Sequence, residues 1–458
     1  MTLRWVAEAV GTTWRAGGGD SEIGEVVTDS RTLRPGDLFV ALRGPRFDGH
    51  AFVADAFRAG AAGAIVERGR GQGDARALEV EDTLAALQRM AHAVRKAVGT
   101  RVVAITGSAG KTTTKEIVAA LLATRWRVVK NTGNLNNHIG LPVSLMQLRT
   151  EPDVAVMELG MNHAGEIRRL VEIAAPEVRV WTNVGDAHVG FFDSADAIAD
   201  AKAEILEGAA ADSVLVCNAD DSRVMARVGR FPGKTLTFGE AEGATVRASA
   251  ARNLGIRGMS ADVVTPAGRR AMATPLLGHG NLANVLAATA VALDFGVGLD
   301  AIVSEVACLQ PAARRGAVGH LRDGITLIDD SYNSSPSALS RALEVVAHES
   351  RDRRTVGVLG EMLELGDHAV ALHEASGRAA AAAGLGRLFV VGGAAARALA
   401  AAAVAAGMPP LSVTYFEKSE EAAPAVVAAV EAGDLVLVKG SRGTRTDMIA
   451  DRLVAELG

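Results

Sequence analysis

Residues 101–116 read RVVAITGSAGKTTTKE, and this stretch decides the fold of the middle of the chain. The β-branched, apolar run at 102–105 predicts a buried strand. A glycine turn and the start of a helix follow directly, formed by Thr106, Gly107, Ser108, Ala109, Gly110, Lys111, Thr112 and Thr113. The backbone N–H groups of such a turn, together with the positive end of the helix, form a binding site for a polyanion.

A lysine and a hydroxyl at these two positions suit a nucleoside triphosphate. Lys111 can reach the β- and γ-phosphates, and the Thr112 hydroxyl can hold Mg²⁺. The usual phosphate-loop pattern has its first glycine where this chain has Ile105, so the loop has the tighter TGxxGKT form. The alternative is a glycine turn that joins the strand to the helix and binds no ligand. The Gly-Lys-Thr-Thr run favours ATP with Mg²⁺.

Composition limits the possible classes of protein. With 458 residues, the chain has room for about three domains of roughly 150 residues each. A net charge of −5 gives no general attraction for nucleic acid. Cys217 and Cys308 both lie in apolar contexts and are predicted to be core residues of a reducing compartment. Because no leader pattern and no apolar run of about 20 residues is present, we expect a cytoplasmic protein without a membrane span. We also expect a monomer.

The order of strands and helices predicts an α/β fold. In the middle of the chain they alternate, which favours a doubly wound, mostly parallel sheet with an antiparallel edge at about 235–278. A strand is predicted at 38–44 (LFVALRG) and a helix at 83–98, and strands resume after Pro311. These patterns predict smaller α/β domains at each end of the chain, with domain boundaries at 1–99, 100–310 and 311–458.

Two strands of the central block end in residues that could complete a Mg²⁺ site with Thr112. The strand DVAVMELG ends at Glu158, and the strand in VRVWTNVGDAH ends near Asn183, with His188 just beyond it. Oxygen ligands suit Mg²⁺ best, so the imidazole is the less typical of the two. The alternative is that Glu158 and His188 only cap helices.

Several polar loops allow two interpretations from the residues alone. The amide-rich segment 130–142 either binds a polar ligand or caps the next helix, and Lys202 has the composition of a solvated helix lysine. The loops at 328–336 and 438–447 follow strands and carry acidic, amide and basic side chains. They either bind an anionic second substrate and close over ATP, or they are solvated loops.

These motifs, in this order, resemble the ATP-dependent Mur ligases, and the resemblance runs from about residue 25 to 447. The ITGSAGKTTTKE segment is similar to the family's phosphate loop, and DSRTLRPGDLFVALRGPRFDGHAFV (29–53) to a uridine-binding segment. NTGNLNNHIGLP, IDDSYNSSP and LGEMLELGDHAVALHE (359–374) are closest to the members that add D-alanyl-D-alanine. The Asp-Asn-Pro-Arg motif expected of the ligase that adds the third residue is absent from the sequence.

The resemblance implies a role for each matched residue. It implies metal ligation by Thr112, Glu158, His188 and a carbamylated Lys202, and catalysis by Lys111, Glu158, His188 and Lys202. It implies ATP binding by the phosphate loop with Asn281, Asn284, Arg315 and Asp330. It implies binding of the UDP-sugar-peptide by Ser30, Asp48, His50, Asn134, Asn136 and Asn137, and of D-alanyl-D-alanine by Asn333, Lys439 and Ser441. One departure affects adenine packing, since Gly280 stands where the family commonly has His.

The implied reaction joins D-alanyl-D-alanine to UDP-N-acetylmuramoyl-tripeptide through an acyl phosphate, using ATP and Mg²⁺. The first alternative is the Mur ligase that adds diaminopimelate or lysine as the third residue. A folate polyglutamate ligase is more distant. A phosphate-loop ATPase that drives a partner protein is an alternative outside the ligases.

Overall fold

The computed structural model describes residues 1–71, 73–186 and 189–458. Within these residues the strands form sheets of four, nine and six strands and one two-stranded hairpin. The three larger sheets follow one another along the chain, as the sequence predicts. The predicted α/β fold, with a mostly parallel central sheet between two smaller α/β units, is confirmed. The boundaries at 99/100 and 310/311 stay predictions.

The N-terminal unit has a parallel sheet in the order β1-β2-β5-β6. Its elements are α1 (Leu3–Val10), β1 (Val26–Val27), β2 (Leu38–Val40), β3 (Arg43–Gly44), β4 (Phe47–Asp48), α2 (Val53–Arg58), β5 (Gly63–Glu67), β6 (Ala77–Val80) and α3 (Thr83–Ala97). The prediction of one strand over 38–44 is wrong. The Leu42 N–H bonds back to the Val40 carbonyl at 3.0 Å, so the chain leaves the sheet there, and β3 pairs with β4 instead.

Helix α3 connects the N-terminal unit to the central one, and the predicted helix at 83–98 is confirmed with its end one residue earlier. Its N-cap is Asp82, whose carboxylate accepts a hydrogen bond from the Ala85 N–H at 2.8 Å. Its buried side chains, among them Leu87 and Met90, belong to one continuous apolar core that also contains Val102 of the central sheet. The two units therefore share a core.

The central sheet has the order β15-β14-β13-β12-β11-β10-β7-β9-β8. Its strands are β7 (Arg101–Thr106), β8 (Val128–Lys130), β9 (Val154–Glu158), β10 (Val178–Trp181), β11 (Val214–Asn218), β12 (Lys234–Gly239), β13 (Val246–Asn253), β14 (Met259–Thr265) and β15 (Gly268–Thr274). The antiparallel edge is shorter than predicted. β12 pairs in parallel with both β11 and β13, and only β13–β15 are antiparallel.

Helices cover both faces of the central sheet. They are α4 (Lys111–Ala123), α5 (Gly140–Leu145), α6 (Glu166–Ala174), α7 (Ala195–Ala203), α8 (Ser222–Val228), α9 (Gly278–Asp294) and α10 (Leu299–Ala307). Because strand side chains alternate, Val102 of β7 packs towards α3, α5 and α6, whereas Val103 packs towards α4, α9 and α10. α8 forms the crossover that makes β11 and β12 parallel.

The C-terminal unit has a six-stranded sheet in the order β16-β17-β21-β18-β19-β20. Its elements are β16 (Ala317–His320), β17 (Thr326–Asp330), α11 (Pro336–Glu349), β18 (Thr355–Gly360), α12 (Ala369–Ala382), β19 (Arg387–Val391), α13 (Ala394–Ala405), β20 (Val413–Phe416), α14 (Ser419–Ala429), β21 (Leu435–Lys439) and α15 (Asp447–Leu457). The sequence analysis did not predict the two edge strands, β16 and β20. Neither strand contains a buried residue, so neither has the apolar run that indicates a buried strand.

Short 3-10 helices complete the description. They are Ser30–Thr32, Gly49–Phe52, Met146–Thr150, Val189–Phe191, Glu204–Leu206, Gly255–Arg257, Arg322–Gly324, Gly366–His368, Pro410–Ser412 and Arg442–Thr444. Among the described residues, no helix has both the length and the apolar character needed to cross a bilayer. Helix α11 packs against α9 and the turn at Gly255–Arg257, which joins the C-terminal unit to the central one.

Candidate active site

A cleft of about 570 Å³ lies between the central and C-terminal units; we call it the interdomain cleft. The central unit contributes the phosphate loop (106–112), the amide-rich loop and the start of α9. The C-terminal unit contributes α11 and the loops that follow β17 and β21. Carboxyl ends of parallel strands carry the binding residues of open α/β sheets, so this cleft is the candidate active site.

The phosphate loop is held in shape by the end of β10. The Ala109 N–H donates to the Asn183 side-chain carbonyl at 2.9 Å, and the Asn183 amide returns a hydrogen bond to the Ala109 carbonyl at 3.0 Å. Thr182 also donates to the Ala109 carbonyl, at 2.8 Å. Gly110 has φ +82°, which a side chain disfavours, and a Cβ there would overlap the Asn284 amide. The loop is therefore fixed by tertiary contacts.

Lys111 begins α4 and reaches back over its own loop. Its Nζ donates to the Gly107 carbonyl at 2.8 Å. Burial lowers the pKa of the Lys111 ammonium; nearby Glu158 opposes this shift, and Arg315 adds to it. Arg315 lines the same cleft as Lys111, so a cation of the C-terminal unit faces the phosphate loop, as a site for a highly charged triphosphate requires.

Thr112 and Glu158 form a close oxygen pair at the same end of the sheet. The Thr112 hydroxyl donates to Glu158 Oε2 at 2.7 Å, and the Asn136 amide donates to Glu158 Oε1 at 2.8 Å. Asn131, fully buried, fixes the Glu158 backbone by accepting from its N–H at 2.9 Å. A hydroxyl and a carboxylate are hard oxygen donors, which fit a Mg²⁺ ion that keeps waters and phosphate oxygens as its other ligands.

The other two residues assigned to the metal are His188 and Lys202. His188 lies outside the residues that the structure describes. Lys202 is 1% exposed, so the composition-based expectation of a solvated lysine is wrong. Burial lowers the pKa of Lys202 well below its usual value, and the charge of Lys111 lowers it further. In the described part of the chain, no group of three or more His, Cys, Asp or Glu side chains could hold a metal.

Asn281 and Asn284, at the start of α9, lie next to the phosphate loop. The Asn284 amide donates to the Asn281 side-chain carbonyl at 3.1 Å, and Asn284 Oδ1 accepts from the Thr114 hydroxyl at 3.2 Å. Asn281 donates to the Leu277 carbonyl at 2.9 Å. Both asparagines line the interdomain cleft. The two side chains thus form one side of the cleft next to the phosphate loop.

On the C-terminal side, the predicted residues lie in the cleft but are engaged with protein groups. Lys439, 3% exposed, pairs with Asp330 at 2.6 Å and donates to the Asn333 carbonyl at 3.1 Å. The Ser441 hydroxyl accepts from the Leu363 N–H at 2.9 Å. The Arg315 guanidinium packs over the ring of Tyr332, 4.1 Å from its centre. The structure brings these residues together, and their ligands stay predictions.

The residues assigned to the UDP-sugar-peptide are divided between two places. Ser30, Asp48 and His50 are not part of the cleft lining. His50 is 3% exposed and uses both ring nitrogens within the protein: Nδ1 bonds Asp48 at 2.6 Å, and Nε2 accepts from the Glu67 N–H at 2.9 Å. This hydrogen bond from His50 lowers the pKa of the Asp48 carboxyl.

The amide-rich loop combines both interpretations that the sequence left open. Asn134, Asn136 and Asn137 all line the cleft. Asn137 Oδ1 also accepts from the Gly140 N–H at 2.8 Å and so caps α5, while Asn136 holds Glu158. The loop therefore supports the carboxylate and the next helix at the same time.

Three residues of the site were missed by sequence reasoning. Asn131 holds Glu158, Ser334 is a buried hydroxyl with no hydrogen-bond partner among the described residues, and Arg341 of α11 enters the cleft. Asn131 and Ser334 lie within quoted motifs and differ from their neighbours only in burial. Arg341 lies in an ordinary helical pattern, and no sequence signal distinguishes it.

Comparisons with known proteins agree with this geometry. Residues 22–120 match the catalytic domain of the Mur ligase family, 105–292 the Mur ligase middle domain, and 314–442 the Mur ligase glutamate ligase domain. The UDP-N-acetylmuramoyl-tripeptide–D-alanyl-D-alanine ligase of Synechocystis sp. is 35% identical, over 95% of this chain and 93% of that protein.

Solved structures give the same result. MurF from Acinetobacter baumannii is 32% identical with a TM-score of 0.89, and 99% of each chain is covered. MurF ligase from Thermotoga maritima in complex with ADP is 30% identical with a TM-score of 0.84, over 94% of this chain and 97% of that one. With identity above 30% over nearly its full length and three matching domains, the chain belongs to the Mur ligase family.

Proposed function

We propose that this chain is an ATP-dependent ligase that joins D-alanyl-D-alanine to UDP-N-acetylmuramoyl-tripeptide. The observation that carries the proposal is the interdomain cleft, which brings Lys111 and the Thr112–Glu158 pair together with Arg315 and Lys439. A relative covering 95% of the chain is named for this reaction. The absence of an Asp-Asn-Pro-Arg motif also disfavours the ligase that adds a diamino acid.

ATP binds through the phosphate loop. The N-terminus of α4, with the backbone N–H groups of Lys111 and Thr112, points at the triphosphate, and Lys111 turns from the Gly107 carbonyl to the β- and γ-phosphates. Arg315 approaches the γ-phosphate from the C-terminal unit, and Asn281 and Asn284 extend towards the base. The similar protein from Thermotoga maritima was solved with ADP, which agrees with this assignment.

Thr112 and Glu158 would hold Mg²⁺, with His188 as the further ligand that the family resemblance implies. When bound, the ion neutralises charge on the phosphate oxygens during transfer. Asn131 and Asn136 keep the Glu158 carboxylate in place for this role. The oxygen pair is already assembled at 2.7 Å, so little reorganisation is needed when the ion binds.

The reaction forms one bond at a time. An oxygen of the tripeptide's terminal carboxylate attacks the γ-phosphorus of ATP, the bond from that phosphorus to the β-phosphate bridging oxygen breaks, and ADP and an acyl phosphate result. Lys111 and Arg315 offset the charge on the transferring phosphoryl group. The amine of D-alanyl-D-alanine then attacks the acyl carbon. The tetrahedral intermediate loses a proton to solvent and expels phosphate, leaving the new amide bond.

The C-terminal unit orients the acceptor. Lys439 and Ser441 hold the loops after β17 and β21 in place through Asp330, the Asn333 carbonyl and the Leu363 N–H. Asn333 is exposed and available to the dipeptide. Holding donor and acceptor together in the cleft supplies much of the rate, because orientation converts the encounter into a step within one complex.

The UDP end of the donor lies on the N-terminal unit, outside the cleft, around Ser30, Asp48 and His50. His50 shapes that surface rather than contacting the nucleotide, because both of its ring nitrogens are occupied within the protein. The donor then spans from the N-terminal unit to the cleft, where Asn134 lies near its peptide end. The length of UDP-N-acetylmuramoyl-tripeptide explains why a ligase of this kind needs a separate N-terminal unit to bind its UDP end.

Lys202 is carbamylated in the active enzyme. This proposal rests on the family resemblance, and two features of the site support it. The side chain is buried beside Lys111, and its lowered pKa favours the neutral amine, which is the form that reacts with CO₂. A carbamate oxygen pair would place a negative charge next to the Lys111 ammonium.

An acceptor panel tests the proposed function. Purified protein with ATP and Mg²⁺ should release phosphate only when both UDP-N-acetylmuramoyl-tripeptide and D-alanyl-D-alanine are present, and mass spectrometry should find the UDP-N-acetylmuramoyl-pentapeptide. UDP-N-acetylmuramoyl-dipeptide with diaminopimelate or lysine should give no product. Faster turnover of that second pair would instead identify the chain as the third-residue ligase. Phosphate release that needs no acceptor would contradict both assignments.

A further inference from the structure

The Arg341 guanidinium crosses the interdomain cleft and lies against Gly280. Arg341 belongs to α11 of the C-terminal unit, and Gly280 belongs to the first turn of α9 in the central unit. A Cβ built on Gly280 would lie 2.9 Å from Arg341 Cδ and 3.0 Å from Nη1. The guanidinium therefore fills the space that any side chain at position 280 would need.

The Arg341 guanidinium has no charged partner among the residues that the structure describes. Within the described ranges, no hydrogen bond or ion pair engages its side chain. It is half-buried, so the absence of a carboxylate partner is not explained by exposure to bulk water. The surrounding cleft residues are mostly apolar: Leu277 on the α9 side and Ala338, Ala342 and Val345 on α11. A flat, apolar group with an electron-rich face suits such a slot.

The position of the slot relative to the phosphate loop identifies that group. Gly110 of the loop abuts Asn284, Asn284 bonds Asn281 at 3.1 Å, and Asn281 directly follows Gly280. A ligand with its phosphates at Gly110 and Lys111 would run along the two asparagines and reach the slot with its far end. In a nucleoside triphosphate, the far end is the base.

We infer that Arg341 packs against the adenine of ATP, and that position 280 is glycine because a side chain there would displace the Arg341 guanidinium. This inference rests on the proposed function, and it explains the departure from the family pattern at position 280. The Arg341 guanidinium on α11 then packs against the adenine from the C-terminal unit, in place of a histidine ring that would pack against it from position 280 on α9. Adenine binding is thereby coupled to closure of the C-terminal unit over the central one.

The first experiment compares ATP with inorganic triphosphate, which lacks a base. Calorimetric titration in Mg²⁺ should find that Arg341→Ala weakens ATP binding roughly tenfold, the size expected for a partly desolvated cation–π contact. Triphosphate binding should be unchanged. Equal losses for the two ligands would place Arg341 on the phosphates and overturn the inference, as would no loss for ATP.

The second experiment uses position 280. Gly280 does not have a positive φ, so Ala fits the helix, but its Cβ must displace the guanidinium. Gly280→Ala should therefore weaken ATP binding several-fold without lowering the melting temperature, since Ala favours helix over Gly. Gly280→His in the Arg341→Ala background should restore binding to within about threefold of the wild-type protein. Failure of the double variant to bind better than Arg341→Ala would contradict the shared role.

Two controls separate this inference from its foundation. Arg378, an exposed arginine on α12 outside the cleft lining, should be replaceable by Ala with no effect on ATP affinity. If the wild-type protein makes no pentapeptide, the proposed function fails, whatever Arg341 does. If the wild-type protein makes pentapeptide and Arg341→Ala keeps full ATP affinity, only the inference fails.

Discussion

Replacing Lys111 by Ala should abolish ligation while leaving the fold intact. Among the described residues, the side chain makes one hydrogen bond, from Nζ to the Gly107 carbonyl at 2.8 Å. Losing a charge-assisted bond costs about 1.5–3 kcal/mol, but the variant also avoids keeping an ammonium out of water, which costs several kcal/mol. We therefore expect the free energy of unfolding to change by no more than about 1 kcal/mol.

The effect on the reaction should be much larger. Lys111 is placed to offset charge that develops on the transferring phosphoryl group, and loss of one such contact raises a barrier by roughly 3–4 kcal/mol. This corresponds to a fall of about 10²- to 10³-fold in kcat/KM, since each 1.36 kcal/mol is tenfold.

Phosphate release in the presence of both substrates measures the rate, and urea denaturation measures the stability. Lys234, an exposed lysine that pairs with Asp294 at 2.8 Å on the far side of the central unit, is the control. Lys234→Ala should keep wild-type activity. A folded Lys111→Ala variant that retained more than a third of wild-type kcat/KM would refute the assignment of the phosphate loop.

Three further predictions concern buried groups. Lys202→Ala should be nearly inactive and partly rescued by short-chain carboxylates; full activity without rescue would contradict the carbamate. His373 is buried, accepts from the Met362 N–H at 2.9 Å and has its pKa lowered by burial, so only the unfolded chain gains a proton as the pH falls below about 6.5. Stability should therefore fall from pH 7 to pH 5 more steeply than in His373→Gln, and equal slopes would exclude this role. Cys308 is exposed, so the prediction that both cysteines are core residues is wrong for Cys308. A thiol reagent should label only Cys308 in the native protein, because Cys217 is buried and burial raises its pKa to about 12; labelling of both would contradict the packing.

The sequence predicted the features that depend on residues close together in the chain. The strand, glycine turn and helix around Lys111 are contiguous, and their chemistry follows from local backbone geometry. Alternation of apolar strands and helices likewise predicted the parallel central sheet. The prediction of one strand over 38–44 was wrong because the Leu42 N–H bonds back to the Val40 carbonyl, and the residues that follow pair with β4 instead of continuing along β5.

Residues that act through distant partners could not be assigned in this way. Lys202 has the sequence context of a solvated lysine, yet packing of α7 buries it beside Lys111. Asn131 and Asn136 looked alike in an amide-rich loop, and only the structure shows that both hold Glu158.

By itself, the sequence determined a phosphate loop, an α/β fold and membership of a ligase family, because each is encoded in short segments whose residues act together locally. Only the tertiary structure decided which residues meet across the cleft. Thr112 and Glu158 are 46 positions apart, and Arg341 and Gly280 lie on helices of the C-terminal and the central unit. Their contacts follow from how the sheets and helices pack, and no short segment of the chain contains that information.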